Sequence, residues 1–330
     1  MRTQQAPETW QVLGDATEIL VVYNPTKALA EERSAALCAD RDGRLEGQGL
    51  RATRVPSERT LAGNIDMLRG HMPRGNKRVL AVVSGDGLTS DMLNAAMQVG
   101  IEGPVALIPA GNANDLATMA YGRRGVKDPL DVILHTGHVE QLRPLAITVR
   151  NQSAAPDGTR RTRAFGYFAI GDSAKKAKAL NDEGFRAARD TRGPIGRSMM
   201  ETRLVMSDIS EATPFVVEEG EESHEMIELL FPNGELMAKY VRFGGIALLG
   251  EQAGRIEIPS PSLGSVAWGI AKAGVGRFQK FGPATQHSFG VAFDPEKELF
   301  FQRDGEFEAV DTGSLFDVRH DTETVSIIAA

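Results

Sequence analysis

Residues 79–98, VLAVVSGDGLTSDMLNAAMQ, contain the pattern that decides the fold. A mostly aliphatic run over 78–83 ends in a glycine-rich segment, and residues 89–98 follow with apolar side chains at helical spacing. A strand, a glycine loop and a helix in this order are typical of a parallel α/β sheet, which binds its ligands at the carboxyl ends of its strands. The polar segments that follow the strands are therefore the candidate sites.

The same pattern recurs on both sides of this stretch. Residues 18–24 and 103–108 form two more short β-branched runs, and helices are predicted over 28–40 and 57–72. The sequence thus predicts an α/β domain with a parallel sheet over residues 18–140, preceded by an N-terminal extension over residues 1–17.

The pattern changes after about residue 140. Alternating apolar runs are separated by Gly, Pro and Asp turns at 240–250, 255–259, 287–293 and 298–302. We therefore expect a second, β-rich and mostly antiparallel domain over residues 141–330. Two further segments have less distinct patterns: a polar hairpin loop is predicted at 151–163, and for 265–278 a core strand or helix is favoured over an interfacial anchor.

Composition excludes several classes of protein. The 330 residues are 42% hydrophobic and 25% charged, as in folded globular domains, so disorder, collagen and coiled coil are excluded. No apolar run is long enough for a membrane span, and the first residues do not resemble a signal peptide, so we expect a cytoplasmic protein. The net charge of −7 argues against a nucleic-acid partner, although residues 160–203 hold eleven Lys and Arg against five Asp and Glu. The single cysteine, Cys38, excludes an intramolecular disulfide.

Three polar segments carry the functional signal. Gly85 and Gly87 allow backbone N–H groups to approach phosphate oxygens, and the following helix directs its positive end to the same place. A second loop, PAGNAND, follows the next strand at 109–115. In the third segment, Asp304-Gly305-Glu306, two carboxylates on an extended chain would share a face and could hold a divalent cation or act as a base. The alternative, an Asp-Gly β-turn with an incidental Glu, is favoured for this segment taken alone.

In combination, these segments resemble the diacylglycerol kinase catalytic-domain superfamily, the soluble lipid kinases that include bacterial diacylglycerol, sphingosine and ceramide kinases. The similar motifs are VVYNP (21–25), VVSGDGL (82–88), LIPAGNANDLA (107–117) and FQRDGE (301–306). The resemblance implies an ATP- and Mg²⁺-dependent kinase that phosphorylates a hydroxyl of a lipid of diacylglycerol or sphingoid type. It places the nucleotide on the first domain, the acceptor in a cleft between domains, and the enzyme at the periphery of a membrane that supplies the lipid.

The resemblance also implies functions for individual residues. The expected nucleotide contacts are Asn24, Ser57, Ser84, Gly85, Asp86, Gly87, Gly111, Asn114, Arg186 and Arg192. The expected acceptor contact is Asp172, the expected metal ligands are Asp115, Asp304 and Glu306, and the catalytic candidates are Asp304, Asp86 and Glu306. The chain departs from the common bacterial motif at Ser84 and Leu88, and it carries Thr26-Lys27 where the family usually has small residues.

The catalytic base has two candidates, because sphingosine-type members favour the Asp of the glycine loop and bacterial members the Asp of Asp-Gly-Glu. A helix N-terminus stabilises the ionised form of Asp86, whereas the neighbouring Glu306 opposes ionisation of Asp304, which gives a slight preference to Asp304. Two other functions stay open: a catalytically silent lipid-binding or regulatory protein with this fold, and an enzyme similar to NAD kinases.

Overall fold

The structure is a computed structural model that describes residues 18–40, 42–72, 78–111, 113–122, 130, 133–134, 138–151, 159–182, 184–185, 188, 191–192, 200, 212–237, 241–259 and 262–329. The chain divides into two compact units. The first unit is Met1–Arg143 with Thr322–Ala330, and the second is Pro144–Asp321.

The first unit alternates strands and helices. In chain order its elements are β1 (Glu18–Tyr23), α1 (Ala28–Ala39), a 3₁₀ helix (Glu46–Gln48), β2 (Arg51–Pro56), α2 (Leu61–His71), β3 (Val79–Ser84), α3 (Asp86–Val99), β4 (Val105–Pro109), α4 (Asp115–Tyr121) and β5 (His138–Leu142). Strand β3 is buried along its whole length, which explains why its sequence is continuously apolar rather than alternating. The predicted α/β architecture is confirmed.

The second unit is rich in antiparallel strands. Its elements are β6 (Leu145–Arg150), β7 (Thr159–Ala164), β8 (Tyr167–Gly171), α5 (Asp172–Asn181), β9 (Phe215–Glu219), β10 (Glu222–Met226), β11 (Glu228–Pro232), β12 (Leu236–Met237), β13 (Val241–Arg242), β14 (Ala253–Ile258), α6 (Leu263–Gly274), β15 (Gln279–Phe281), β16 (Gln286–Phe293), β17 (Leu299–Arg303), β18 (Glu306–Val310) and β19 (Ser314–His320). Two six-stranded sheets run in the orders β10-β9-β16-β19-β6-β7 and β15-β14-β11-β8-β17-β18. The predicted antiparallel second domain is therefore confirmed.

Phenylalanine side chains join these two sheets into a sandwich. Phe231 of β11 stacks on Phe289 of β16 with ring centroids 5.9 Å apart, and Phe289 stacks on Phe316 of β19 at 5.5 Å. All three side chains are buried in one core cluster that draws residues from both sheets. Burial of a large aromatic side chain contributes roughly 1.5 to 3 kcal/mol, so this cluster holds the sheets together.

The last strand, β20 (Val325–Ala329), returns to the first unit. The sheet of that unit has the order β2-β1-β3-β4-β20-β5, in which β20 pairs parallel with β4 and antiparallel with β5. The sequence predicts a second domain over residues 141–330. In the structure, Thr322–Ala330 belongs to the first unit instead. The apolar strand VSIIA lies between β4 and β5, and the order of elements along the chain does not reveal its pairing with these strands.

Three segments of the second unit differ from their predictions. The predicted strand over 240–250 forms only β13 and then turns, because Gly244 and Gly245 interrupt it and Gly245 has φ 72°. The end of the predicted loop over 151–163 belongs to β7, while residues 152–158 lie outside the described residues. Segment 265–278 forms most of α6, but the Trp268 side chain is 60% exposed rather than in the core. Within the described part of the chain, no helix combines the length and apolarity needed to cross a bilayer.

Candidate functional site

The loops of the first unit converge because parallel strands end together. Tyr23 at the end of β1 is in register with Pro56 of β2 and with Val83 of β3, and Ser84 is in register with Pro109 of β4. The four segments that follow these strands therefore leave the sheet at one edge. They contain the predicted contacts Asn24, Ser57, Gly85, Asp86, Gly87, Gly111 and Asn114.

Two glycines form a close backbone contact at this edge. A Cβ atom added to Gly111 would lie 2.4 Å from the Cα of Gly85, and one added to Gly85 would lie 3.0 Å from the Cα of Gly111. A hydrogen bond of 2.8 Å from the Ala110 N–H to the Ser84 carbonyl ties the same two loops together. The glycines are therefore required for space, and the loops present a surface of backbone atoms without side chains.

Helix α3 begins at Asp86, three residues earlier than predicted, with Gly85 as its N-cap. Gly87 consequently lies in the first helical turn rather than in a loop. The first N–H groups of a helix have no partner within the helix, and the helix dipole adds positive potential at this end. The start of α3 next to the Gly85–Gly111 contact is thus suited to phosphate oxygens, as the sequence predicted.

Asp86 links the two loops. Its Oδ1 atom accepts a hydrogen bond of 3.0 Å from the N–H of Leu116, which lies in the first turn of α4. The carboxylate therefore stabilises the start of α4. Asp86 itself is partly exposed. Asp115, the first residue of α4, is only 4% exposed and belongs to the same junction.

Asn114 shapes the second loop. Its backbone has φ 55°, a left-handed conformation that asparagine tolerates better than most residues. Its Oδ1 accepts from the Gly111 N–H at 2.7 Å, and its Nδ2 donates to the Gly111 carbonyl at 2.8 Å. The side chain thus holds Gly111 in place.

The loop after β1 is organised by Asn24. Its Oδ1 accepts hydrogen bonds from the Thr26 N–H at 2.9 Å and from the Thr26 hydroxyl at 2.7 Å. The departure from the family motif at Thr26 therefore preserves a compact turn. The N–H of Ser57 donates to the Tyr23 carbonyl at 2.9 Å, which places Ser57 beside this turn.

The structure places one cation, Arg33, at this edge of the sheet that the sequence did not predict there. The Arg33 guanidinium, on α1, donates to the carbonyl of Pro109 at the start of the second loop. Arg33 is one of several charged residues in the helix sequence ALAEERSAALCA, and nothing in that pattern distinguishes it.

The Asp304-Gly305-Glu306 segment of the second unit is a tight turn. Asp304 has φ 48° and Gly305 φ 90°, so the chain reverses between β17 and β18 instead of continuing extended. Positive φ at both central residues is the conformation of a two-residue hairpin turn, which Asp-Gly adopts readily. Asp304 is 2% exposed whereas Glu306 is exposed, so the two carboxylates do not share a face as expected.

The buried carboxylate of Asp304 accepts hydrogen bonds from three consecutive backbone N–H groups. Oδ2 accepts from Phe165 at 2.7 Å, and Oδ1 accepts from Gly166 at 2.7 Å and from Tyr167 at 3.0 Å. Buried N–H groups need such partners. Asp304 therefore stabilises the turn between β7 and β8, a structural function that the sequence did not suggest.

The predicted metal ligands are divided between the two units. Across the part of the chain that the structure describes, no group of three or more His, Cys, Asp or Glu side chains is arranged to hold a metal ion. Asp115 belongs to the first unit, while Asp304 and Glu306 belong to the second. Their function as Mg²⁺ ligands stays a prediction.

The predicted acceptor contact, Asp172, begins helix α5. Its Oδ2 lies 2.6 Å from the Nζ of Lys176, and these side chains are only 13% and 14% exposed. The Asp172 N–H donates to the Ile227 carbonyl at 3.1 Å. This pair fixes a negative and a positive charge side by side at the first turn of the helix.

Glu228, on β11, is a buried acid beside this pair that the sequence analysis missed. One of its oxygens accepts from the Ser173 N–H at 2.8 Å and the other from the Ser173 hydroxyl, to which Gln302 Nε2 also donates at 2.8 Å. Burial raises the pKa of the Glu228 carboxyl from 4.5 to about 8; the charge of Asp172 adds to the increase, and Ser173 and Lys176 oppose it. The sequence does contain a signal for this buried acid, because Glu228 is the one charged residue in the apolar run MIELLFP (226–232).

The two arginines predicted to contact the nucleotide belong to the second unit. Arg192 is exposed, and Arg186 lies outside the described residues.

Comparison with protein-family models agrees with this geometry. Residues 18–144 match the model described as "Diacylglycerol kinase catalytic domain", and the match contains all four loops at the edge of the first sheet. This part of the chain is similar to the diacylglycerol kinase catalytic domain. The resemblance inferred from the sequence motifs is therefore confirmed, and a kinase domain of this family implies that the chain uses a nucleotide.

Solved structures show that the similarity in fold extends beyond this kinase domain. A putative diacylglycerol kinase from Bacillus anthracis str. Sterne aligns over 95% of this chain and 97% of its own, with a TM-score of 0.65 and 13% identity. A second Bacillus anthracis diacylglycerol kinase structure covers 96% and 98%, with a TM-score of 0.64 and 12% identity. Yeast NADH kinase complexed with NADH covers 96% and 84%, with a TM-score of 0.53 and 10% identity. No curated protein sequence matches the chain significantly.

Proposed function

We propose that this kinase transfers the γ-phosphoryl group of ATP, with Mg²⁺, to a hydroxyl of a lipid of diacylglycerol or sphingoid type. The observation that carries the proposal is the Gly85–Gly111 contact beside the N-terminus of α3. A side chain at either glycine would meet the opposite backbone, so the loops keep a bare surface of the kind that phosphates require.

The residues at this edge are chemically suited to a nucleotide. Asn24, Ser57 and Asn114 offer polar side chains around the two glycine loops, and Arg33 contributes positive charge. The family resemblance adds Arg192 and Arg186, whose guanidinium groups pair well with phosphate oxygens. When bound, Mg²⁺ would neutralise developing phosphate charge, and Asp115 is the predicted carboxylate ligand on this unit.

Asp86 is the better supported candidate for the base. Asp86 is partly exposed at the start of α3, and its Oδ1 atom accepts from the Leu116 N–H. In this function it would take the proton of the acceptor hydroxyl. Asp304 is buried and accepts three backbone hydrogen bonds, which supports a positioning function. The slight preference for Asp304 drawn from the sequence is therefore replaced by a preference for Asp86.

The acceptor is proposed to contact Asp172. The carboxylate lies at the start of α5 and is held by Lys176 and, through Ser173, next to Glu228. A carboxylate held in this way suits the hydroxyl or amine of a lipid headgroup.

A transfer assay tests the proposal. The purified chain is incubated with γ-labelled ATP, Mg²⁺ and one acceptor at a time: diacylglycerol, sphingosine, ceramide or NAD, followed by chromatography. We expect label in a lipid product with the wild type and its loss with Asp86→Asn, purified in parallel. ATP binding without label in any lipid would favour the silent lipid-binding alternative. Label in NAD alone would favour a function like that of the structurally similar NADH kinase.

A further inference from the structure

Helix α6 carries apolar side chains on its exposed face. Among the described residues four large apolar side chains are exposed, and three of them lie here: Trp268 at 60%, Ile270 at 43% and Val275 at 69%. Trp268, Ala271 and Val275 are spaced by three and four residues and therefore share one side of the helix. Surface helices usually present polar residues on this side, so α6 has its apolar face outward.

The opposite face of α6 attaches the helix to the second unit. Ala273 is 2% exposed, Val266 packs against a small buried cluster, and a Cβ at Gly269 would be 3.3 Å from Ile258. The Gly244 N–H donates to the Ala273 carbonyl at 2.8 Å, and a Cβ at Gly244 would lie 2.7 Å from the Gly274 carbonyl oxygen. These close backbone contacts hold the helix in place with its apolar side outward.

The charge around this helix is of one sign. Between Ile258 and Phe293 the sequence contains no Asp or Glu, although the whole chain has a net charge of −7. The same segment contains Lys272, Arg277 and Lys280, all of them exposed. Lys272 Nζ lies 5.3 Å from the centroid of the Trp268 ring, so cation and tryptophan occupy one surface.

The neighbouring elements do not neutralise this surface. Strand β13, which packs against α6, contributes another exposed cation, Arg242. Strand β14 carries Glu257, whose carboxylate lies 2.6 Å from the Arg255 guanidinium. Arg255 also pairs with Glu219, so these three side chains leave one negative charge against the four cations. The surface around α6 is thus apolar at its centre and positive at its border.

We propose that this α6 surface, formed by Trp268, Ala271, Val275 and the surrounding Lys272, Arg277 and Lys280, docks on a bilayer that contains anionic lipids. An apolar helix face with Trp and flanking cations matches the interface of such a bilayer. A second copy of the chain is a poorer occupant, because a symmetric contact would bring the same cations together. The proposal rests on the proposed function for its purpose, since a lipid acceptor must be reached in its membrane.

Vesicle binding without ATP tests the docking surface separately from turnover. The full chain carrying Trp10→Phe, in which Trp268 is the only tryptophan, is mixed with vesicles of phosphatidylcholine and phosphatidylserine or of phosphatidylcholine alone. We expect sedimentation with the anionic vesicles, a blue shift of Trp268 fluorescence, and weaker binding at high salt. No binding to either vesicle, or equal binding to both, would overturn the proposal.

Variants identify the surface. Trp268→Ala, compared in the wild-type background, should reduce vesicle affinity about 10- to 100-fold because a large apolar side chain no longer enters the lipid. Lys272→Gln with Arg277→Gln should remove the preference for anionic vesicles. Leu29→Ser is the matched control, because Leu29 is 43% exposed on another helix and should leave binding unchanged. Unchanged binding of Trp268→Ala, or a loss of self-association instead of vesicle binding, would contradict the proposal.

The outcome is separable from that of the transfer assay. If the proposed kinase function fails but vesicle binding depends on Trp268, the docking surface stands by itself. If lipid phosphorylation succeeds and Trp268→Ala binds vesicles normally, the kinase function stands and the docking surface is refuted.

Discussion

Asp86 and Asp304 both precede a glycine in motifs of the same family, yet their carboxylates have different surroundings. Asp86 is partly exposed at the start of α3 and accepts from Leu116 of the adjacent loop. Asp304 is 2% exposed and accepts three backbone hydrogen bonds at the turn between β7 and β8. The difference teaches that an Asp-Gly motif can serve either a ligand-binding edge or the fold itself, and that burial separates the two.

The largest expected effect is on turnover at Asp86. Asp86→Asn keeps an oxygen that can accept from the Leu116 N–H but cannot take a proton, so kcat should fall by roughly 10²- to 10⁴-fold with little change in melting temperature. The measurement is the rate of label transfer at saturating acceptor, together with thermal unfolding. Near-normal turnover in this variant would transfer the function of base to another group.

Asp304 should affect stability instead. Asp304→Ala leaves three buried N–H groups without their acceptor and should lower the free energy of unfolding by about 3 kcal/mol. Urea unfolding measures the loss, and Glu306→Gln, in the same hairpin but exposed, should change it by less than about 1 kcal/mol. A normally stable Asp304→Ala protein without turnover would restore Asp304 as a catalytic residue and erase the contrast with Asp86.

The glycine contact gives a smaller but sharper effect. In Gly111→Ala the new methyl group would lie 2.4 Å from the Gly85 Cα, and backbone atoms cannot move away as a flexible side chain would. We expect a loss of about 1 to 3 kcal/mol in stability and weaker ATP binding, measured by thermal unfolding and calorimetry. Gly70→Ala is the control, since a Cβ at Gly70 meets nothing within 4 Å. Equal behaviour of the two variants would show that the loops tolerate a side chain.

The most gradual effect concerns Glu228 and is spread over several pH units. The pKa of its carboxyl is raised to about 8 in the fold from 4.5, so its neutral form favours the folded state. That contribution is complete below about pH 4.5 and is lost as the pH rises through 8. Glu228→Gln should remove a decline of about 1 kcal/mol per pH unit, measured by urea unfolding between pH 5 and 8.

The matched control for Glu228 is Glu225→Gln, which changes an exposed carboxylate on β10, the preceding strand in the chain. Its stability should follow the pH dependence of the wild type. If the stability of Glu228→Gln and of the wild type changed with pH in the same way, Glu228 would be ionised in the folded protein, which would contradict the prediction.

The sequence by itself determined the class of each domain and the edge where the loops meet. Alternating β-branched runs and helical periods predict a parallel sheet, and parallel strands bring the segments after β1, β2, β3 and β4 together whatever else the chain does. The spacing of the glycine motifs also indicated the resemblance to the family, because the local backbone geometry at Gly85, Asp86 and Gly111 depends on the identity of these residues.

Tertiary structure alone decided the features that depend on distant partners. Sequence could not show that β20 enters the first sheet, that Phe165–Tyr167 donate to Asp304, or that Ser173 binds Glu228, because each contact joins segments far apart in the chain. The face of α6 is a similar case, since periodicity shows an apolar helix but not which side is covered. Burial and hydrogen-bond partners are properties of the packed chain, and they separate a carboxylate that serves a site from one that holds the fold.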